Sequence, residues 1–338
     1  MKKIALYPFA LLYGVVIWLR NKLFDWGVLG SLPIPGKSIC IGNIAVGGTG
    51  KSPHVAYLIE QLSERYSIQV LSRGYGRKTK GYLEISTNSS AAEVGDEPLM
   101  LFEQYNTKAQ FAVSENRRFG IQQLKKQNPN AIILLDDAFQ HRWIKAGLNI
   151  VLSTYDNPFW KDCLLPAGRL RETPEGLKRA DALVITKCPD LNSIDAREFT
   201  HISAKFDIPV FFSGYRYKPL QVLTYPVAQI NKALIVSAIA DPKQIRYGLP
   251  KTMHLEQMHF ADHHAYTKQD IKAIHHFFDT FADDNTVLFT TAKDWIKIAS
   301  LLSAKEQQKY PWYLLSFELE WHDKAAFNQY ISAYVDAN

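Results

Sequence analysis

Gly42-Asn43-Ile44-Ala45-Val46-Gly47-Gly48-Thr49-Gly50-Lys51-Ser52-Pro53 is the stretch on which the fold turns. It follows a short apolar run, residues 37–43, that reads as a buried strand. It leads into residues 52–66, whose apolar side chains recur at helical spacing. Glycines at a strand-to-helix junction let backbone N–H groups close around phosphate oxygens, and the helix N-terminus adds partial positive charge. Gly47, Gly48, Thr49 and Gly50 are therefore candidates to cradle the phosphates of a nucleotide such as ATP. Lys51 is placed to reach the β- and γ-phosphates, and the Ser52 hydroxyl to ligate Mg²⁺. Pro53 falls in the first helical turn, where a missing N–H costs nothing. The strict pattern G-x-x-x-x-G-K-[ST] asks for glycine where this chain has Ala45, so Gly47-Gly48 must supply the freedom instead.

Working outward, residues 67–73, 131–137, 148–154 and 181–187 read as further strands, with helices between several of them. Such alternation predicts an α/β fold with a mainly parallel sheet sandwiched by helices, as in P-loop NTPases. Ligands of such sheets bind at the carboxyl ends of the strands. At one of these ends stands Leu134-Leu135-Asp136-Asp137. An aspartate at the tip of an apolar strand holds Mg²⁺ directly or through water, which assigns Asp136 to the metal. Asp137 is then free to orient a water or a cation. Three cationic loops follow other strand ends: Arg73 to Lys78, Asn116-Arg117-Arg118, and Pro166 to Glu172 with Arg169 and Arg171. Arginine forks match phosphate oxygens. Arg73, Arg77, Asn116, Arg117, Arg169 and Arg171 together fit a site holding several phosphates, more than one nucleotide needs.

At 338 residues the chain has room for about two domains of ~150 residues each. Hydrophobic residues at 47% and charged residues at 21% exclude a disordered or fibrous chain. Three scattered cysteines make no disulfide framework or zinc motif. A net charge of +6 gives no case for nucleic acid, but suits an anionic substrate or lipid surface. The run Ile4 to Leu19 is uncharged and flanked by Lys2, Lys3, Arg20 and Lys22. As a helix it rises ~24 Å, short of the ~30 Å hydrocarbon core. With Tyr7, Tyr13, Trp18 and Trp26 at headgroup depth, it reads as an apolar helix dipping into one leaflet. The domains expected are a membrane-associated helix over 1–28, a P-loop domain over 29–218, and a smaller α/β domain over 219–338. In the last, residues 219–230 read as an extended linker, while 233–242, 254–260, 286–294 and 312–319 read as strands or strand-to-loop units. Six of the ten histidines lie between His254 and His276, without the partner pattern of a metal site.

The ordered set GNIAVGGTGKSP, SRGYGRK, VGDEPLM, DDAFQHR and LPAGRLRE, spread over residues 39–187, resembles the tetraacyldisaccharide 4′-kinase family of lipid A biosynthesis. Ala138 stands where that family usually has glycine. The resemblance implies a peripheral or monotopic enzyme on the cytoplasmic face of the inner membrane. It implies ATP and Mg²⁺ as cofactors and an acylated disaccharide 1-phosphate as acceptor, phosphorylated to the 1,4′-bisphosphate, with no obligatory protein partner. It also implies that Gln140 serves the nucleotide and His141 the lipid substrate, and that Asp262 and His263 act at the active site. Asp96 and His263 are then expected to remove the 4′-hydroxyl proton, with Lys51 and Asp137 also catalytic. The rival reading is a GTPase or metallochaperone-type switch. Thr186-Lys187-Cys188-Pro189-Asp190 approaches the Asn-Lys-x-Asp guanine reader, but Thr replaces Asn and Asp190 falls one residue late.

Overall fold

The strand Ser38–Asn43 is buried at every position, as a parallel strand covered on both faces must be. In the computed structural model, which describes residues 4–194, 196–238, 249–250, 252–261 and 264–337, it is the middle strand of a nine-stranded sheet. The order is Phe317–Trp321, Val210–Tyr217, Ala182–Thr186, Leu148–Thr154, Ser38–Asn43, Ile132–Asp136, Ile68–Ser72, Ala109–Val113, Leu83–Glu84. From Val210–Tyr217 to Ala109–Val113 every neighbouring pair is parallel. Leu83–Glu84 is an antiparallel edge. The chain builds one side of the central strand first, then crosses to the other. The strand order therefore reverses beside Ser38–Asn43, which opens a crevice at the carboxyl ends. Side chains alternate between two cores. Ile39 and Ile41 pack with Val55, Leu58 and Ile59 of the helix Lys51–Leu62, while Cys40 packs with Ile121 and Leu124 of Arg117–Gln127.

The chain divides into two compact units, Met1–Tyr215 with Leu319–Asn338, and Arg216–Glu318. The second unit holds a five-stranded sheet in the order Gln221–Val222, Trp312–Leu315, Thr286–Thr291, Lys232–Ser237, His254–His259, parallel except for the first pair. Here the sequence reading needs correction. The expected linker over 219–230 contributes a sheet strand. The strand expected over 286–294 ends at Thr291, because the Thr291 hydroxyl accepts the Asp294 N–H at 3.3 Å and caps a new helix, Ala292–Ala299. The segment after Glu318, assigned by sequence to the smaller domain, joins the larger unit. Trp321 stacks on Phe327 at 3.8 Å, and Phe327, Ile331 and Val335 enter the core with Val55 and Leu58. Ala109–Val113 and Val210–Tyr217 were not anticipated as strands. Both interrupt their apolar residues with polar ones, Gln110 in the first and Ser213 and Arg216 in the second.

The N-terminal segment forms a short 3₁₀ turn, Ile4–Leu6, and the helix Tyr7–Asp25. Pro8 lies in the first turn, where it does not break the helix. Gly14 permits close packing, since a Cβ there would stand 2.7 Å from Leu164 Cδ1. The opposite face is unusually bare: Leu11 is 72% and Leu12 65% exposed, with Phe9, Val15, Val16 and Trp18 also exposed. Among the described residues no helix is long and apolar enough to cross a membrane.

Candidate active site

The glycine loop leaves the central strand at Asn43 and returns as the helix Lys51–Leu62. Gly47 and Gly50 take φ of +112° and +89°, values that favour glycine. Ala45 is extended and bridges Leu170 in antiparallel fashion, which explains why no glycine is needed there. The loop is braced from three sides. Asn43 Nδ2 donates to Thr49 Oγ1 at 2.9 Å, Thr186 Oγ1 donates to the Thr49 carbonyl at 2.9 Å, and Val46 N and Arg171 N exchange bonds with Arg169 O and Ile44 O, both at 2.8 Å. Gln140 Nε2 adds a bond to the Asn43 carbonyl at 2.5 Å.

Opposite the loop stand the two strand-tip carboxylates. Asp137 turns left-handed at φ +52°, so Ala138 after it needs no glycine. Its carboxylate meets Lys51 Nζ at 3.6 Å and Arg171 Nη1 at 3.0 Å. Burial opposes its ionisation, yet Lys51 and Arg171 hold its pKa below the usual carboxylate range. Asp136 is 4% exposed. Burial, then the charges of Glu97 and Asp137, push its pKa up to about 6. Ser72 Oγ donates to its Oδ2 at 2.8 Å, while its Oδ1 is buried with no hydrogen-bond partner among the described residues. An orphaned carboxylate oxygen whose ionisation the site disfavours is what a hard cation would satisfy. The donor set of Asp136 and Ser52 fits Mg²⁺ in kind.

The cations divide by partner. Arg117 is 2% exposed and donates to the carbonyls of Ser114 and, at 3.3 Å, Asp136. Arg77 bonds Glu115 at 2.6 Å and the Gly81 carbonyl at 2.6 Å. Asn116 caps its helix through the Phe119 N–H at 3.1 Å. All three were expected at the substrate; the buried guanidinium groups of Arg117 and Arg77 find protein acceptors, and the exposed Asn116 accepts its cap bond. Arg169 pairs with Asp162 at 2.7 Å and Arg171 with Asp137. Arg73 is exposed and has no hydrogen bond or ion pair among the described residues. His141 is half-buried. Burial lowers its pKa to about 4, and Arg117, Arg20 and Arg73 reinforce the effect. Asp96 opens the helix Asp96–Tyr105 at its first position, behind the cap Gly95, and accepts the Glu97 N–H at 3.0 Å. Asp262 and His263 lie outside the described residues.

Some members of the site were not singled out from sequence. Glu97 influences Asp136 from the motif that supplied Asp96. Glu172, 2% exposed, accepts Arg179 at 2.8 Å, Gln140 at 3.1 Å and Asn21 at 3.1 Å. Arg20 donates to the Gln140 carbonyl at 2.9 Å, and Tyr13 OH to the Arg171 carbonyl at 2.8 Å. The polar face of the N-terminal helix thus rests on the motifs DDAFQHR and GRLRE. Acidic neighbours of a basic loop were the only available signal. In the loop that approaches the guanine reader, Asp190 accepts the Asn192 N–H at 2.9 Å as the cap of a turn.

Against known proteins, residues 2–336 match the family described as Tetraacyldisaccharide-1-P 4′-kinase. A Tetraacyldisaccharide 4′-kinase of Bacteroides fragilis is 39% identical, covering 98% of this chain and 93% of that protein. One from Bacteroides thetaiotaomicron is 38% identical, with the same coverage. Among solved structures, LpxK from Aquifex aeolicus in complex with ATP superposes with a TM-score of 0.73 at 28% identity, over 99% of this chain and 100% of that one.

Proposed function

Since the chain belongs to the Tetraacyldisaccharide-1-P 4′-kinase family from residue 2 to residue 336, we propose how its own residues carry out the family's reaction. The protein is a kinase of lipid A biosynthesis: it uses ATP to phosphorylate the 4′-hydroxyl of a tetraacyldisaccharide 1-phosphate, giving the 1,4′-bisphosphate. The observation that carries the residue-level reading is the convergence of Lys51, Arg171 and the two strand-tip aspartates at the glycine loop.

In this reading the main-chain N–H groups of residues 47–52 hold the β- and γ-phosphates. Lys51 bridges them, steered by Asp137, which Arg171 holds in turn. Asp136 and Ser52 would hold Mg²⁺, which supplies charge neutralisation at the transferring phosphoryl group. Asp96, with His263 and Asp262, takes the proton of the 4′-hydroxyl. That oxygen forms a bond to the γ-phosphorus as the bond to the β–γ bridging oxygen breaks, leaving ADP. Arg73, exposed beside His141, serves the 1-phosphate or another anionic group of the acceptor.

A lipid surface is the second part of the proposal. The bare apolar face of Tyr7–Asp25 suits the acyl-chain boundary of a membrane, and its polar face rests on the site loops. This reading places the enzyme on the inner membrane's cytoplasmic face, where its acylated acceptor would be embedded. The test is transfer of labelled γ-phosphate from ATP to the disaccharide lipid in detergent micelles with and without Mg²⁺. Labelled product that needs Mg²⁺ supports the scheme. ATP hydrolysis without phosphorylated lipid refutes it.

A further inference from the structure

The helix that opens at Lys51 carries a histidine that the proposed transfer does not use. His54 is 2% exposed. Its Nδ1 lies 2.7 Å from the Gly50 carbonyl oxygen, and its Nε2 lies 3.1 Å from Ser213 Oγ. A carbonyl oxygen only accepts, so Nδ1 carries the proton and Nε2 accepts from the Ser213 hydroxyl. The Gly50 carbonyl also accepts the His54 main-chain N–H, but at 3.3 Å. The imidazole therefore makes the shorter of the two bonds. The ring is held in place by Trp321, edge-on at 5.5 Å, which is itself stacked on Phe327.

The consequence lies on the far side of the Gly50–Lys51 peptide. A peptide unit is planar, with its C=O and N–H pointing in opposite directions. A bond that fixes the Gly50 carbonyl also fixes the Lys51 N–H. That N–H belongs to the first residue of the helix, where no intrahelical acceptor exists. Gly50 is left-handed at φ +89°, and beyond the long main-chain bond its carbonyl needs a partner to settle the tilt of the peptide plane. His54 is that partner.

We propose that His54 is a positioning residue for ATP: through the Gly50 carbonyl, its Nδ1–H aims the Lys51 main-chain N–H at the nucleotide's phosphates. The role rests on the reading of residues 47–52 as the phosphate loop. The Gly50 carbonyl, which only accepts, selects the tautomer of the ring, and the Ser213 hydroxyl, able to donate, completes it at Nε2. Hydrogen bonding at the carbonyl also polarises the peptide and strengthens the N–H as a donor.

Two substitutions separate this role from simple packing. Asparagine places its amide nitrogen near the position of Nδ1, and glutamine places its own near Nε2. His54→Asn should keep the KM for ATP within about twofold of the parent. His54→Gln should raise it about fivefold, the effect of one neutral hydrogen bond, while the KM for the disaccharide lipid stays put. A His54→Gln enzyme with the parental KM for ATP, or an equal rise in both variants, overturns the inference. If neither variant folds, ¹⁵N-histidine NMR of the parent at pH 7 decides. A proton on Nδ1 of His54 supports the role, and one on Nε2 overturns it. Lys51→Ala is the control for the underlying reading. Undiminished ATP binding in that variant sinks the phosphate loop itself. Lost binding there, together with an unaffected His54→Gln, sinks only the role of His54.

Discussion

Replacing Asp136 with asparagine should leave the protein more stable and nearly inactive. Burial, then Glu97 and Asp137, raise the carboxyl from 3.8 to about 6. The folded protein therefore binds this proton more tightly than the unfolded chain does. The group's stabilising contribution is fully present below pH 3.8 and is lost as the pH climbs through 6. At about 1.36 kcal/mol for each tenfold change in acidity, the ionised carboxylate costs the native state about 3 kcal/mol at pH 7. Asparagine removes that charge and keeps the bond from Ser72, but its new N–H₂ donors go unpaired, returning about 1–2 kcal/mol. The net gain expected is about 1–2 kcal/mol. Equilibrium urea denaturation without Mg²⁺ at pH 7.5 and pH 4.5 measures it. The gain should be present at pH 7.5 and vanish near pH 4.5, where the parental carboxyl is largely protonated. On the proposed role of Asp136 toward Mg²⁺, turnover should fall at least about hundredfold. A variant no more stable than the parent at pH 7.5, or equally stabilised at both pH values, would refute the account of Asp136 as a strained, cation-seeking carboxylate.

Other outcomes are expected from the same geometry. Lys51→Ala should lower kcat/KM for ATP by orders of magnitude, read in the micelle assay, because Asp137 and the phosphates lose their common cation. Asp96→Ala should lower kcat by about 10²–10⁴-fold with little change in the KM for ATP, the range for a general base; a folded, fully active variant would remove Asp96 from that role. The double substitution Leu12→Glu with Val16→Glu places two charges on the bare face of the first helix. It should weaken co-sedimentation with anionic vesicles while leaving ATP hydrolysis or binding intact; unchanged sedimentation would dismiss the lipid-facing reading of that helix.

Much of the larger unit was legible along the chain. The loop over residues 47–52 was legible because only glycine spacing, a preceding strand and a following helix are required to mark it. Asp136 at the end of Ile132–Asp136 was readable for the same reason, since a strand and its tip are neighbours in sequence. The order of the cationic motifs narrowed the family. Secondary structure was harder where polar residues interrupt a buried strand, as in Val210–Tyr217, or where one apolar run over 312–319 serves two different sheets.

What the chain order could not reveal was which side chains spend themselves on one another. Arg117 and Arg73 read alike as cations, yet one is buried against the Asp136 carbonyl and the other is exposed. Glu97 reaches Asp136, Arg20 reaches Gln140, and His54 reaches Ser213 and Trp321, across separations of 39 to well over 150 residues. Sequence by itself determined the strand–glycine-loop–helix unit, the strand-tip carboxylate and the α/β class, because each depends on consecutive residues and their periodicity. Tertiary structure alone decided the charge partners, the depressed and raised acidities, and the return of residues 319–338 to the first unit. Those depend on burial, and burial is settled only when distant segments compete for the same apolar surface.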